Sequence, residues 1–496
     1  MPTKKINKLN ISVIIFFIIY LGVLLVLAKH TLTWVDELYS LHTTSQDLSF
    51  AIKESYYFEA QPPVYFGLLN LWRNFSDSLF FARLPSIIFT ILAGLFIYKI
   101  FRIFSNKESS VFVMFLFLMN PFIINYSFEV RLYSLIIFFS ASSTYFYYKA
   151  YLTEYKTNIN ICLHTAISIL GVFTQYLFVF LLVAQAITLL NIKGWRKFRT
   201  FFIIHIFVAL IFSVNLIFIP TQIAFNKNEA LVDLVYVKDF FYTIPSLLFS
   251  STKYLFHSII KLGIIFSYII WLLYFIKKKK LSLPAIFQII NPINFLLYIT
   301  LVVFLSILIL FLSFKLNYTS RYMAIIFPSL FVSFLFTLTL YNRKQFILWF
   351  AFLSVFYTFI DIKTYSSLVK HFDYERIAEF IENNEESNTP LVFYNGRNSI
   401  PFQYYYHGIN KIVQLPIPSD YKLRSDQDYL IKDTMTLNTI FQRDLRTAKN
   451  FYYLSNKEDE MIETYLVENF LVQLDTLIFD RAKINGLRVR KLIRKK

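Results

Sequence analysis

A single cysteine, Cys162, stands among the 496 residues and lies inside an apolar run, which excludes both an intrachain disulfide framework and a cysteine metal cluster. Charge is scarce as well. Asp, Glu, Lys and Arg together make up 16% of the chain against 56% hydrophobic and 20% aromatic residues, with a mean hydropathy of +0.52. So apolar a chain of this length excludes a soluble globular protein and defines a polytopic membrane protein. Acidic residues number 31 against 49 basic ones, a net charge of +18. The excess does not imply a nucleic-acid partner, because Lys and Arg cluster in short loops between apolar runs, where they hold segments on the cytoplasmic side. No internal repeat of the kind transporters carry in their two halves is present. His30, His42, His164, His205 and His257 are too scattered to argue a metal site and read as structural.

What is there is a succession of apolar runs. The first, ISVIIFFIIYLGVLLVLA, follows a charged start, is long, and lacks a small-residue cleavage site, so it reads as a retained helix. A crossing needs about 20 residues, and the candidates are 10–28, 80–98, 109–128, 132–149, 200–220, 254–276, 293–314, 322–341 and 345–361. Residues 157–192 are uncharged between basic flanks and are long enough for two crossings turning near Thr174, Gln175 and Tyr176. Pro284 and Pro292 make 281–292 an interfacial stretch, leaving open whether 281–314 crosses once or twice. The expectation is a mainly α polytopic bundle of about eleven transmembrane helices over residues 1–361. Charged sequence follows over 362–496, alternating helix-like and strand-like pieces (YERIAEFIENN, PLVFYN, KIVQL, a helical stretch near 425–445, NFYYLSN, EMIETYLVENF, LVQLDTLIF), which predicts a small soluble α/β domain. No G-x-G-x-x-G or P-loop opens its helices, so it reads as a cover or an aid to acceptor binding.

With the N-terminus inside, KGWRKFR, KKKK and NRK all fall on the cytoplasmic face, as the positive-inside rule expects. The opposite face then receives every candidate for chemistry. Asp36 and Glu37 follow the first span; Glu59 and Gln61 sit beside Pro62 and Pro63, which lock a corner; Arg83 lies in the start of the second span. Glu129, Arg131 and Tyr133 lie at the end of the third, and Arg321 with Tyr322 heads a later one. Each arginine alone reads as a snorkelling anchor, and an acidic doublet alone as a solvated boundary. Their gathering on one face is what suits an anionic, lipid-linked substrate.

These residues carry a resemblance. The doublet Asp36-Glu37 and EAQPPVYF resemble the D-E and [D/E]-x-H-P-P pattern of protein O-mannosyltransferases and of the wider family that contains bacterial lipid A aminoarabinose transferases, and RLPS, NPFIINYSFEVRLYSLI and SRYMAIIFPSLF are similar to later landmarks of this GT-C superfamily. Gln61 stands where many members have His, and no β-trefoil insert is present, so a protein acceptor is not implied. The resemblance implies a GT-C fold and an inverting transfer of a sugar from a polyprenyl-phosphate donor at the outer face of a bacterial cell membrane, to a lipid, glycan or protein acceptor. A hydroxyl acceptor needs a general base, assigned to Asp36, and a phosphate leaving group needs its charge balanced, assigned to Arg131 and Arg321 with Arg83 as a third. Glu59 orients the acceptor or shares a divalent cation with Asp36, a metal being allowed but not demanded. Gln61 holds a sugar hydroxyl or phosphate oxygen, and Tyr39, Tyr65 and Tyr133 suit sugar stacking. Glu37 counts with the acidic catalytic set, its role read as fixing the loop. The competing readings are a transporter or flippase of a lipid-linked saccharide, a polysaccharide polymerase or ligase, and a receptor.

Overall fold

The computed structural model describes residues 8–153, 158–220, 222, 237–249, 293–314, 319–338, 343–366, 368, 373–384, 386–394, 398–415, 434–455, 460–479 and 486–495. Runs of Ile, Leu, Phe and Val in lipid have no water to satisfy backbone N–H and C=O groups, and the helix satisfies them internally. Among the described residues five helices are long and apolar enough to cross a membrane: Ile11–His30, Leu79–Phe101, Trp195–Ile217, Asn294–Phe314 and Lys344–Tyr365. The chain is an integral membrane protein. Of the expected spans, 254–276 lies outside the described residues, as do the stretch 281–292 and the lysines 277–280.

The opening elements build the site. They are α1 (Lys8–His30), α2 (Val35–Thr43), α3 (Leu48–Tyr57), α4 (Val64–Arg73), α5 (Leu79–Phe101), α6 (Lys107–Leu118), α7 (Pro121–Ser127) and α8 (Tyr133–Tyr147). The crossing expected over 109–128 is a broken one, with α6 and α7 bent by 61°. The reason is local. Pro121 has no N–H to continue the helix, and the Asn120 side chain accepts from Phe122 N at 2.9 Å, capping a new one. Between α1 and α5 the chain forms the short helices α2, α3 and α4, and α3 is pinned to the bundle where Tyr56 donates to Asn215 at 2.9 Å and stacks on Phe218.

Helices Asn158–Val172 and Phe178–Lys193 run on either side of a turn that contains Thr174, Gln175 and Tyr176. The turn is tight because Gly171 lets the Phe178 ring approach: a Cβ at 171 would meet that ring at 2.5 Å, and Phe178 is itself fully buried. Gly171→Ala is therefore expected to destabilise by about 1–3 kcal/mol through overpacking, read as a lowered thermal midpoint in detergent; an unchanged midpoint would show that the ring has room to retreat.

After the last span a five-stranded sheet forms from β1 (Leu391–Tyr394), β2 (Ile412–Leu415), β3 (Asn450–Ser455), β4 (Phe470–Phe479) and β5 (Gly486–Arg494) in the order β2-β1-β3-β5-β4. The β1 strand pairs in parallel with β2 and β3, and β5 runs antiparallel to β3 and β4. The period of two is plain in β1: Val392 and Tyr394 enter one core with Leu437, Phe441 and Leu466, and Leu391 and Phe393 enter the other with Ile377, Ile381 and Phe402. Helices thus cover both faces. The β5 strand goes beyond the sequence expectation; its basic residues find carboxylates on neighbouring elements, Arg488 on Asp475, Arg490 on Glu463 and Lys491 on Glu386.

Candidate active site

A four-residue break, 31–34, separates α1 from α2, so Asp36 and Glu37 lie in the first turn of α2, where the unpaired N–H groups favour negative charge. From there the neighbouring carboxylates diverge. Glu37 turns inward to Arg83 of α5, both side chains having 0% exposure. Arg83 donates from Nε to Oε1 at 2.9 Å and from Nη2 to Oε2 at 2.7 Å, and its Nη1 donates to the carbonyls of Ala28 and Thr31 at 2.8 Å each. Val130 N adds a bond to Glu37 Oε1 at 3.1 Å. The pair joins α1, α2, α5 and the turn before α8, and it has no surface to offer a substrate. Glu37 and Arg83 are thus placed inside the packing, bonded to each other and to backbone groups of the surrounding elements.

Asp36 turns the other way. Its Oδ2 accepts from Arg321 Nη1 at 2.6 Å, with the carboxylate side chain 16% and the arginine side chain 26% exposed. Arg321 also donates from Nε to Thr319 Oγ1 at 3.1 Å, and its guanidinium carbon lies 6.0 Å from the Trp34 ring and 5.8 Å from the Tyr133 ring. Two aromatic faces leave the guanidinium little lateral freedom.

A second pair sits alongside. Arg131 Nη1 donates to both oxygens of Glu59 at 3.1 and 2.9 Å, to Ser40 Oγ at 3.1 Å and to the Asp36 carbonyl at 3.2 Å, so one nitrogen ties the two acidic positions together. Glu59 is presented as the prolines predict: α3 ends at Tyr57, Ala60 adopts φ +52°, Gln61 N bonds back to Ser55 O at 2.8 Å, and Pro63 precedes α4. A non-glycine residue at positive φ is strained, and its place beside Glu59 is where strain is commonly stored. Gln61 is half-buried at this corner. Glu129 is buried, and its carbonyl accepts the Ser86 hydroxyl. Tyr322 is half-buried against Phe311, while Tyr39 and Tyr65 are buried, Tyr39 edge-on to Phe58.

Sequence reasoning passed over Trp34, Ser40 and Thr319. Ser40 carried a signal, being one helical turn beyond Asp36; Trp34 and Thr319 carried none beyond adjacency to a charged candidate. For a divalent cation the residues do not fit. Among the described residues no group of three or more His, Cys, Asp or Glu side chains gathers to hold one, and Asp36 and Glu59 each already hold a guanidinium.

Comparisons with known proteins bear on the family and the fold. Residues 60–220 match the family model described as dolichyl-phosphate-mannose-protein mannosyltransferase, a stretch that includes Gln61, Arg83, Glu129, Arg131 and Tyr133. The chain is similar in structure to ArnT from Cupriavidus metallidurans in the apo state, with a TM-score of 0.58, at 10% identity, over 98% of each chain. With the same protein bound to undecaprenyl phosphate the TM-score is 0.54, at 12% identity, over 97% of this chain and 98% of that one. No curated protein matches the sequence. The architecture is an ArnT-like GT-C fold, with a small C-terminal sheet.

Proposed function

We propose that this chain is an inverting glycosyltransferase that moves a sugar from a polyprenyl-phosphate donor to an acceptor hydroxyl at the extracytoplasmic face of a bacterial inner membrane. The observation that carries the reading is the half-open Asp36–Arg321 pair, a base and a phosphate-binding cation side by side at one end of the bundle. Asp36 takes the proton from the acceptor hydroxyl; the freed oxygen attacks the anomeric carbon from the face opposite the phosphate; the bond from that carbon to the phosphate oxygen breaks. The polyprenyl phosphate leaves with the electron pair, and Arg321 balances its charge as it develops. Arg131, held through its Nη1 by Glu59 and Ser40, fixes the wall against which the acceptor is oriented. The sheet region after the last span is read as an outer domain, its Ser399–Tyr405 helix meeting α2 beside the site. The match of 60–220 to a mannosyltransferase family model and the fold shared with a protein seen bound to undecaprenyl phosphate support a polyprenyl-phosphate sugar as donor.

The test is to purify the wild type and Arg321→Ala in detergent, incubate each with a panel of radiolabelled undecaprenyl-phosphate sugars and membrane lipid extract, and follow loss of donor. Wild-type consumption of one donor is expected, with Arg321→Ala slower by about 10²–10³. Movement of intact donor across proteoliposomes without consumption would overturn the reading in favour of a transporter.

A further inference from the structure

The segment between α1 and α2 is held from two sides. Arg83 grips it from the bundle through the carbonyls of Ala28 and Thr31. The other hold comes from residues hundreds of positions later. Thr33 N donates to the Tyr405 hydroxyl at 2.9 Å across 372 residues of chain, and Leu32 N donates to Leu368 O at 2.9 Å. Tyr405 ends the short helix Ser399–Tyr405 of the sheet region, and Ile400 of that helix is buried in a small apolar cluster with Leu38 and Tyr39 of α2 and Phe58 beside Glu59. Burial raises the pKa of the Tyr405 hydroxyl, so it remains neutral with its oxygen available as an acceptor.

The register of this contact bears on chemistry. Thr33 precedes Trp34, whose carbonyl accepts from Glu37 N and Leu38 N to start α2, and whose ring borders the Arg321 guanidinium. Asp36 follows two residues later and bonds the same guanidinium. A shift at Thr33 therefore moves the aromatic wall, the first turn of α2 and the Asp36 carboxylate as one unit relative to Arg321.

We propose that Tyr405, seated by Ile400, is a positioning residue of the transfer reaction: the C-terminal region is part of the active site because its Ser399–Tyr405 helix sets the Thr33–Asp36 segment against Arg321. The proposal rests on the glycosyl-transfer reading above. Arg321 keeps two holds that do not pass through this brace, the Thr319 hydroxyl of its own segment and the Tyr133 ring of α8. Loss of the brace should thus spoil the placement of the base and spare the hold on the lipid phosphate.

The experiment compares full-length wild type, Tyr405→Phe and Tyr404→Phe, the last altering an exposed neighbour on the same helix. Tyr405→Phe leaves the buried Thr33 N–H without its acceptor and is expected to lower kcat by roughly tenfold. The donor KM and the affinity for undecaprenyl phosphate alone stay within about twofold of wild type, because neither uses the base. Tyr404→Phe behaves as wild type throughout. Equal kcat for wild type and Tyr405→Phe, with or without a lower melting temperature, overturns the proposal and leaves the glycosyl-transfer reading standing; so does a rise in donor KM that accounts for the whole loss. A wild type that consumes no donor overturns that reading and this one together. Should Tyr405→Phe not fold, Ile400→Val, which loosens the same seat by one methylene, is expected to show the same split of kcat from KM in smaller measure.

Discussion

Asp36→Asn is expected to fold as the wild type does, to bind undecaprenyl phosphate at least as tightly, and to lose sugar transfer by about 10²–10⁴-fold, the usual contribution of a positioned general base. The three expectations come from one geometry. Asp36 is on the rim of the site rather than in the packing, so the isosteric amide keeps a hydrogen-bond acceptor for Arg321, whose guanidinium is partly open to solvent. In the wild type the Asp36 carboxylate occupies Arg321 Nη1 at 2.6 Å, the same nitrogen a phosphate oxygen would seek, so removing its charge removes a competitor for the lipid phosphate. An amide has no lone pair basic enough to take the acceptor's proton at neutral pH, so chemistry fails where binding survives. Titrating both proteins with undecaprenyl phosphate and following donor turnover in parallel separates the effects. If Asp36→Asn turns over donor at the wild-type rate, Asp36 is not the base, and Glu59, the next carboxylate in the site, takes its place; if it loses lipid binding and turnover together, Asp36 acts on the donor and not on the acceptor.

The residue types of this site were legible in the sequence, and their pairing was not. Charges scarce enough to count individually, placed at the ends of apolar runs, mark Asp36, Glu59, Arg131 and Arg321 as candidates by cost alone. The Pro62-Pro63 corner was legible for the same kind of reason, since prolines restrict backbone whatever surrounds them. Partnership, by contrast, depends on how helices pack: Glu37 meets an arginine 46 residues away, Arg131 meets Glu59 across 72, and Asp36 meets Arg321 across 285. Adjacent residues of a helix point about 100° apart, so whether Asp36 or Glu37 faces the site is decided by which side of α2 packs on α5. The bend at Pro121 had a usable signal, Asn followed by Pro, which is a helix start and not a helix interior. The brace from Tyr405 had none, because a tyrosine in a soluble segment carries no mark of where its hydroxyl will dock.

Replacing either member of the Glu37–Arg83 pair is expected to act on the fold before it acts on catalysis. Every Arg83 nitrogen is spoken for, two by the Glu37 carboxylate and one by the carbonyls that end α1, and neither side chain has contact with solvent. Glu37→Ala leaves a guanidinium buried without its counter-charge, and Arg83→Met leaves a carboxylate in the same state, each costing about 3–5 kcal/mol. Against a total stability on the order of 5–15 kcal/mol, that is enough to deplete the folded protein in the membrane and to lower the melting temperature in detergent by many degrees. Removing both charges in Glu37→Leu with Arg83→Met is expected to recover part of the loss, since no unpaired charge remains. Recovery stays incomplete, because the carbonyls of Ala28 and Thr31 and the amide of Val130 lose the partners the pair supplied. The order of melting temperatures, wild type above the double variant above either single variant, is the signature of a buried pair that holds α1, α2 and α5 together. A Glu37→Ala protein that melts with the wild type but transfers no sugar would reverse the assignment, making Glu37 the residue that faces the substrate and Asp36 its support.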